Sequence, residues 1–395
     1  METISYVMVT PYTIAKSRTG GVIARLLSRL DLELVGAQTV ALDAAAVEEY
    51  ASLIKKQGDP DKTKGSELLA DYVKQHFVPS EGRKHRALLL VFRGEDPCRK
   101  LADICGALFA QNQSIESITG ETIRDTYADL ITSSEDPRRV TYFEPAVLTP
   151  RRQAAADENL AMFARFLKGK DNIVQNMAYP DPSKIEQTLV IIKPDNWAYA
   201  SSRPGTIIDM FSRTGLRIIG IKVHRFSLAE ALEFYGPVEK ALKEKLAPDF
   251  GRKVKEYIEK EFDLPLNGAI EKVLTEHVGI TYAENQFRRI IEFMSGRDPG
   301  TCPLEELHNP GSVKCMLLIY EGENAVSKIR TVLGPTDPLK APGGTVRREF
   351  GSNVMVNTAH ASDSAENAKR EMDIIKIHEN SVADIINSYL ALRKQ

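Results

Sequence analysis

Apolar residues along this chain fall in short runs separated by glycine, proline and polar turns, and the period of each run predicts its element. Thr188–Ile192 is a continuous apolar run of the buried-strand type. Ile219, Ile221 and Val223 alternate with Gly220, Lys222 and His224, the pattern of a second strand. Between them Ile207, Ile208 and Phe211 share one helical face, and Gly215 stands where that helix would end. Leu228–Phe234 predicts another helix, with the Ser227 hydroxyl placed to accept from free N–H groups of its first turn. Cys315–Tyr320 predicts a third strand, Ala325–Leu333 a helix stopped by Gly334, and Asn353–Asn357 a fourth strand. A last long helix is expected to begin near Ser362 or Asp363, both good N-caps. The order β-α-β, β-α-β is that of an α+β, ferredoxin-like (βαββαβ) domain, an antiparallel four-stranded sheet with helices on one face.

The pattern is written twice. Ser5–Val40 matches Gln187–Val223 as strand, proline-containing turn, Ser-Arg-x-Gly, apolar helix and second strand. Gly20 and Gly205, like Tyr50 and Tyr235, are 185 positions apart. His85–Glu95 matches Val313–Glu323 at an offset of 228, so the second copy holds a net 43 additional residues before that strand. Gly120–Arg124 then matches Gly343–Arg347. The polar stretch between the copies, with Gly169, Pro180 and Pro182, predicts a linker. The expected organisation is a first domain over 1–167, a linker over 168–184 and a second domain over 185–395. Charged, mostly helical residues at about 236–283 and a Pro/Gly-rich loop at about 297–311 are insertions in the second copy.

Composition narrows the function classes. The 395 residues would make roughly two to four ordinary domains, which the repeat resolves into two copies of one unit. Hydrophobic residues make up 43% and charged residues 27%, so a buried core is expected. With a net charge of -2, bulk electrostatics supply no attraction for nucleic acid or an anionic membrane, and neither is expected as a partner. Cys98, Cys105, Cys302 and Cys315 form no C-x-x-C pair, which predicts a reduced compartment. The first ten residues lack the basic and apolar regions of a signal peptide, and no apolar run reaches spanning length. The expectation is a soluble, cytoplasmic protein.

Common phosphate-loop, dinucleotide and zinc-protease motifs are absent from the sequence. Three other stretches of the second copy hold candidate chemistry: Ile191–Asp195, Ile329–Gly351 and Asn357–Glu371. His360 is expected just past a strand and just before a helix N-terminus, where an anion is favoured, and a neighbour such as Glu371 would orient it as a nucleophile. The same position suits a hydrogen-bonded structural histidine. Arg330 and Arg347 flank a glycine- and proline-rich loop containing Thr336, and arginine forks match phosphate oxygens. A solvated basic loop has the same appearance, and a strand-terminal Lys193 equally well meets water.

Taken in order, these stretches resemble nucleoside diphosphate kinases. Lys193, Pro194 and Asp195 match the family's strand-end Lys-Pro-Asp. Arg330, Gly334, Thr336 and Pro338 match its Arg-x-x-x-Gly-x-Thr-x-Pro pattern, and Pro342, Gly344, Thr345, Val346 and Arg347 its Pro-Gly-Thr-Ile-Arg turn. Asn357, His360, Ala361, Ser362, Asp363 and Ser364 match its Asn-x-x-His-Gly-Ser-Asp-Ser, with alanine in place of the glycine. The resemblance implies that His360 is the phosphorylated nucleophile, with Glu371 its orienting partner and Ser362 nearby. It implies that Arg330, Thr336 and Arg347 hold the terminal phosphates, and that Lys193 and Asn357 contact the ribose 3′-hydroxyl and phosphate. Tyr235 would sit beside the histidine, and Phe287 would stack on the base. It further implies nucleoside di- and triphosphate substrates, Mg2+ held mainly through their phosphates rather than by a protein cage, and an assembling protein, either a homo-oligomer or an intrachain pseudo-dimer.

The first copy departs from that pattern. It carries Thr10, Pro11 and Tyr12 for Lys-Pro-Asp and Ala102 for Arg330, and keeps only Arg124 as a phosphate-type arginine. Aligning the closing strand and helix sets Val147 against His360 and Glu158 against Glu371. The expected function is therefore ping-pong phosphoryl exchange at His360 beside a silent first copy. The alternative is a nucleotide-binding regulatory or scaffold protein without turnover.

Overall fold

In a computed structural model of the chain, residues 2–58, 64–80, 85–109, 120–136, 140–175 and 178–393 are described; residues 176 and 177 of the expected linker lie outside them. The first copy contributes β1 (Thr3–Val9), β2 (Glu33–Val40), β3 (Ala87–Gly94), a separate hairpin of β4 (Asp129–Thr132) with β5 (Val140–Glu144), and β6 (Val147–Leu148). The second contributes β7 (Ile185–Ile192), β8 (Arg217–His224), β9 (Cys315–Glu323) and β10 (Ala359–Ala361). Their four-stranded sheets run β2-β3-β1-β6 and β10-β7-β9-β8, the same order in each copy. That is the ferredoxin-like arrangement, in antiparallel sheets.

Helices cover both faces of the first sheet rather than one. Val7 and Val9 point into a core shared with Val22, Ile23 and Leu26, whereas Ile4, Tyr6 and Met8 point into a second core with Val47, Tyr50, Leu160 and Phe163. A strand apolar on both faces needs cover on both.

The fourth strand of the second copy begins later than its apolar alternation predicts. The Asn353 carboxamide accepts from the N–H groups of Met355 and Val356, both at 2.9 Å, and closes a turn where a strand was expected. Thr358, at φ +76°, then swings the chain into β10. The following helix, Ala365–Ile374, starts after Ser364, whose hydroxyl accepts from the Asn367 N–H at 3.0 Å. His360 is thus a strand residue, five positions before that helix.

Both sheets belong to one compact unit, composed of 1–223, 316–372 and 376–395. Within it the helices Thr19–Arg29 and Arg203–Ser212 pack on each other through equivalent residues. A Cβ built on Gly20 would stand 2.4 Å from Asp209 N, and one on Gly205 would stand 2.1 Å from Ala24 N. Gly20 matches Gly205 and Ala24 matches Asp209 in the repeat, so the contact is self-complementary in the manner of a two-fold interface. Chain segments also cross between the copies. The Val174 N–H donates to Ile219 O at 2.8 Å. The helix Val382–Leu392 lies on Gln153–Leu167, where the Tyr389 hydroxyl donates to Asp157 at 2.9 Å.

The other compact unit is 224–315 with 373–375. Its helix Leu228–Ala241 starts in the expected cap, Ser227 and Glu230 bonding each other's backbone N–H groups. The inserted helices Ala247–Phe262 and Gly268–Leu274 follow, and Ile280–Ser295 packs back on Leu228–Ala241.

Candidate functional site

Strand pairing builds the centre of the site. His360 lies opposite Ile191 of β7, two residues short of Lys193 at that strand's end. Its Nε2 is 3.0 Å from Glu371 Oε2, and Ser362 Oγ donates to the same oxygen at 2.6 Å. Glu371 and Ser362 are buried, whereas the imidazole keeps 22% of its surface exposed. With that carboxylate oxygen accepting from an Nε2–H, Nδ1 is the ring nitrogen that carries the lone pair and suits a nucleophile. A Glu371→Gln substitution is expected to lower turnover about 10²-fold by loosening the ring's aim, with thermal stability nearly unchanged. Steady-state assay beside a melting curve checks this.

Two turns bring the remaining groups up. Lys193 Nζ donates to Asn357 Oδ1 at 2.7 Å, while Asn357 Nδ2 donates to Val354 O at 2.8 Å and Thr336 O at 3.1 Å. Asn357 thereby links the end of β7 to the loop carrying Thr336. Arg330, exposed on the helix Ala325–Leu333, lines a hollow with Gly334, Asp363 and Ser364. Asp363 is held below the usual carboxylate range, chiefly by the Asn367 amide and also by the nearby Arg330 charge. Arg347 donates to Gly334 O at 3.0 Å and to Ala359 O at 3.1 Å, bracing the loop against β10. Tyr235 and Phe287 lie in the other compact unit, on the paired helices Leu228–Ala241 and Ile280–Ser295. Among the described residues no group of three or more His, Cys, Asp or Glu side chains forms a metal cage.

The first copy shows which of these features are architecture. Arg124 donates to Gly106 O and to Val147 O, the counterparts of the Arg347 bonds. The retained arginine therefore braces a loop whether or not the chemistry is present. Register also corrects the sequence alignment. Gly94 pairs with Thr3 and Gly322 with Glu186, which sets Val9 against Ile192. Val147 lies opposite Val9 and Ala359 opposite Ile192. His360 thus corresponds to Leu148, not Val147, and Glu371 to Asn159, not Glu158. Asn159 is buried and donates to the Tyr6 hydroxyl at 2.8 Å, whereas Glu158 pairs with Lys56 near the surface. A Leu148→His substitution in a His360→Gln background is expected to restore no activity or labelling. Thr10, Ala102 and Asn159 would still stand where Lys193, Arg330 and Glu371 do.

Sequence reasoning missed Asp195, Asn196, Arg203 and Thr358 as parts of the site's frame. Arg203 was visible only as the arginine of the repeated Ser-Arg-x-Gly, and Asp195 only within the Lys-Pro-Asp match. Thr358 carried no signal, since its positive φ depends on the fold around it.

A family model described as nucleoside diphosphate kinase matches residues 305–380. A nucleoside diphosphate kinase of Anaeromyxobacter sp. (strain Fw109-5) is 32% identical over 187 residues, 47% of this chain and 86% of that protein. Another, from Anaeromyxobacter sp. (strain K), is 34% identical over 188 residues, 48% of this chain and 86% of its own length. The solved nucleoside diphosphate kinase of Aquifex aeolicus is 25% identical, covers 48% of this chain and 94% of that chain, and superposes with a TM-score of 0.29.

Proposed function

This chain belongs to the nucleoside diphosphate kinase family, and we propose that its second copy exchanges the γ-phosphate between nucleoside triphosphates and diphosphates through a phosphohistidine at His360. The observation that carries the reading is the His360–Glu371–Ser362 arrangement, a part-exposed imidazole with Nε2 committed to a buried carboxylate. In the first half-reaction the Nδ1 lone pair forms a bond to the γ-phosphorus of the donor. The bond from that phosphorus to the bridging oxygen breaks, and the diphosphate leaves with the electron pair. Glu371 stabilises the cationic ring. An acceptor diphosphate oxygen then attacks the same phosphorus, and the P–N bond breaks to regenerate the imidazole.

Arg330, Thr336 and Arg347 would hold the terminal phosphates, with Lys193 and Asn357 on the ribose hydroxyl and phosphate. Tyr235 is assigned beside the histidine, and Phe287 as the base platform, a contact that tolerates any base. The carboxylates near His360, Glu371 and Asp363, are bonded to Ser362 and Asn367 and form no cage of three, which fits Mg2+ arriving on nucleotide phosphates and water. Such an ion would neutralise charge across the β- and γ-phosphates. The paired glycine helices support an intrachain pseudo-dimer in which the silent copy takes the place of a second subunit. We assign the protein to the cytoplasm; among the described residues no helix is long and apolar enough to cross a membrane.

The test is incubation with γ-radiolabelled ATP followed by GDP. A label that is acid-labile and base-stable, and that GDP discharges as labelled GTP, is the expected result. Nucleotide binding without transfer would instead favour the regulatory alternative.

A further inference from the structure

Some features of the second copy recur in the first and some do not, and the difference isolates a device that holds the phosphate site together. In both copies the residue before the last strand is left-handed, Ala146 at φ +60° and Thr358 at φ +76°. In both, its carbonyl is held from the turn after the first strand. Thr10 N and Thr13 Oγ1 donate to Ala146 O at 3.1 and 3.0 Å; Lys193 N and Asn196 Nδ2 donate to Thr358 O at 3.0 and 2.8 Å. The arginine of the Ser-Arg-x-Gly repeat also reaches one shared acceptor, Arg18 bonding Tyr127 O and Arg203 bonding Phe350 O, each at the end of a short helix. These contacts belong to the fold, since the silent copy keeps them.

The second copy adds two more. Arg203 Nη2 also lies 3.2 Å from Asp195 Oδ2 and donates to Thr358 Oγ1 at 2.9 Å. The first copy has Tyr12 and Ala146 at those two positions; Arg18 lies over the Tyr12 ring and 3.9 Å from Asp129 of β4, so it does not reach the turn after the first strand or the residue before the last one in this way. Asp195 belongs to the turn that carries Lys193, Phe350 ends the helix that carries Arg347, and Thr358 stands between Asn357 and His360. One guanidinium therefore ties together the three separate segments that bring up the site's lysine, arginine and histidine. It does so partly out of water, with its side chain 28% and that of Asp195 8% exposed, where a charged hydrogen bond is strong. A β-branched residue at positive φ is strained and persists only where its surroundings over-determine it.

We propose that Asp195, Arg203 and Thr358 form a positioning relay that fixes Lys193, Arg347 and His360 relative to one another for phosphoryl transfer. The relay rests on the function proposed above and touches no substrate itself. Thr358→Val tests it, because valine keeps the β-branch, and with it the backbone strain, and puts a methyl of similar size in place of the hydroxyl. The single-turnover rate of labelling by γ-radiolabelled ATP is expected to fall about tenfold, with nucleotide affinity within about twofold of the parent. Thr358→Ser should recover most of the rate. Arg203→Lys, which keeps a charge but ends short of where Nη2 meets Asp195 and Thr358, should lose the rate as Thr358→Val does. A Thr358→Val chain labelled at the parent rate overturns the relay, as does an equal loss in the serine and valine variants. Failure of the parent itself to become labelled overturns the phosphohistidine reading, and the relay with it.

Discussion

A His360→Gln chain should acquire no acid-labile label from γ-radiolabelled ATP and should lose at least about 10⁴-fold in ATP-to-GDP exchange. Glutamine reproduces much of what a structural histidine would do here. Its amide N–H donates to Glu371 as imidazole Nε2 does, and it is close in length. It has no ring nitrogen with a free lone pair, so no P–N bond can form. A 10⁴-fold loss corresponds to about 5.5 kcal/mol of transition-state stabilisation, within the range seen when a covalent nucleophile is removed and only binding and positioning remain. Stability should barely move, because the side chain is partly exposed and its bond to Glu371 is preserved. A variant that still took up label at the parent rate would move the nucleophile elsewhere. A variant that lost activity only by unfolding would show it in the melting curve.

The second large effect is structural. Gly205→Ala is expected to cost about 3 kcal/mol or more, because its Cβ would meet Ala24 N at 2.1 Å and Gly20 O at 2.4 Å. Both are backbone atoms of a packed helix, which has no rotamer to escape into. At roughly 2 °C per kcal/mol for a cooperative unit of this size, the melting temperature should fall by about 6 °C or more. Gly215→Ala is the control. Unlike the helical Gly205, Gly215 stands at positive φ, +69°, but a Cβ there would have nothing within 4 Å, and the substitution should cost only about 1 kcal/mol. Equal effects at the two positions would show that the close crossing of the two copies adds nothing to stability.

Much of this was legible from residues that act locally. Gly215 and Gly334 end their helices at positive φ where the pattern placed them, and the Ser227 cap forms with Glu230. The site's groups were legible as motifs, and strand pairing carries Lys193 to Asn357 and His360 into reach of Glu371. What failed depended on competition between levels. Val354 and Val356 alternate as a strand would, but the flanking Asn353 and Asn357 carboxamides capture the local backbone first. In the first copy an identical but unrelated glutamate, Glu158, drew the alignment one residue out of register. In a strand, that is the difference between one face and the other. The two-sided helical cover was foreshadowed by the unbroken apolar run Ala87–Phe92 of β3, a signal that alternation-based reading passes over.

The helix Val382–Leu392 has a consequence for how the protein is made. Val382, Ala383 and Ile386 are buried in the core formed by β1, β3 and the helix Gln153–Leu167 of the first copy. A ribosome that has finished the first copy has therefore not yet made the residues that close one of its hydrophobic faces. Domain-by-domain folding during synthesis is the usual route for long chains, and here it stops short. The first copy waits with that face open until Val382–Leu392 emerges, which makes that interval its period of greatest exposure to aggregation and to chaperones.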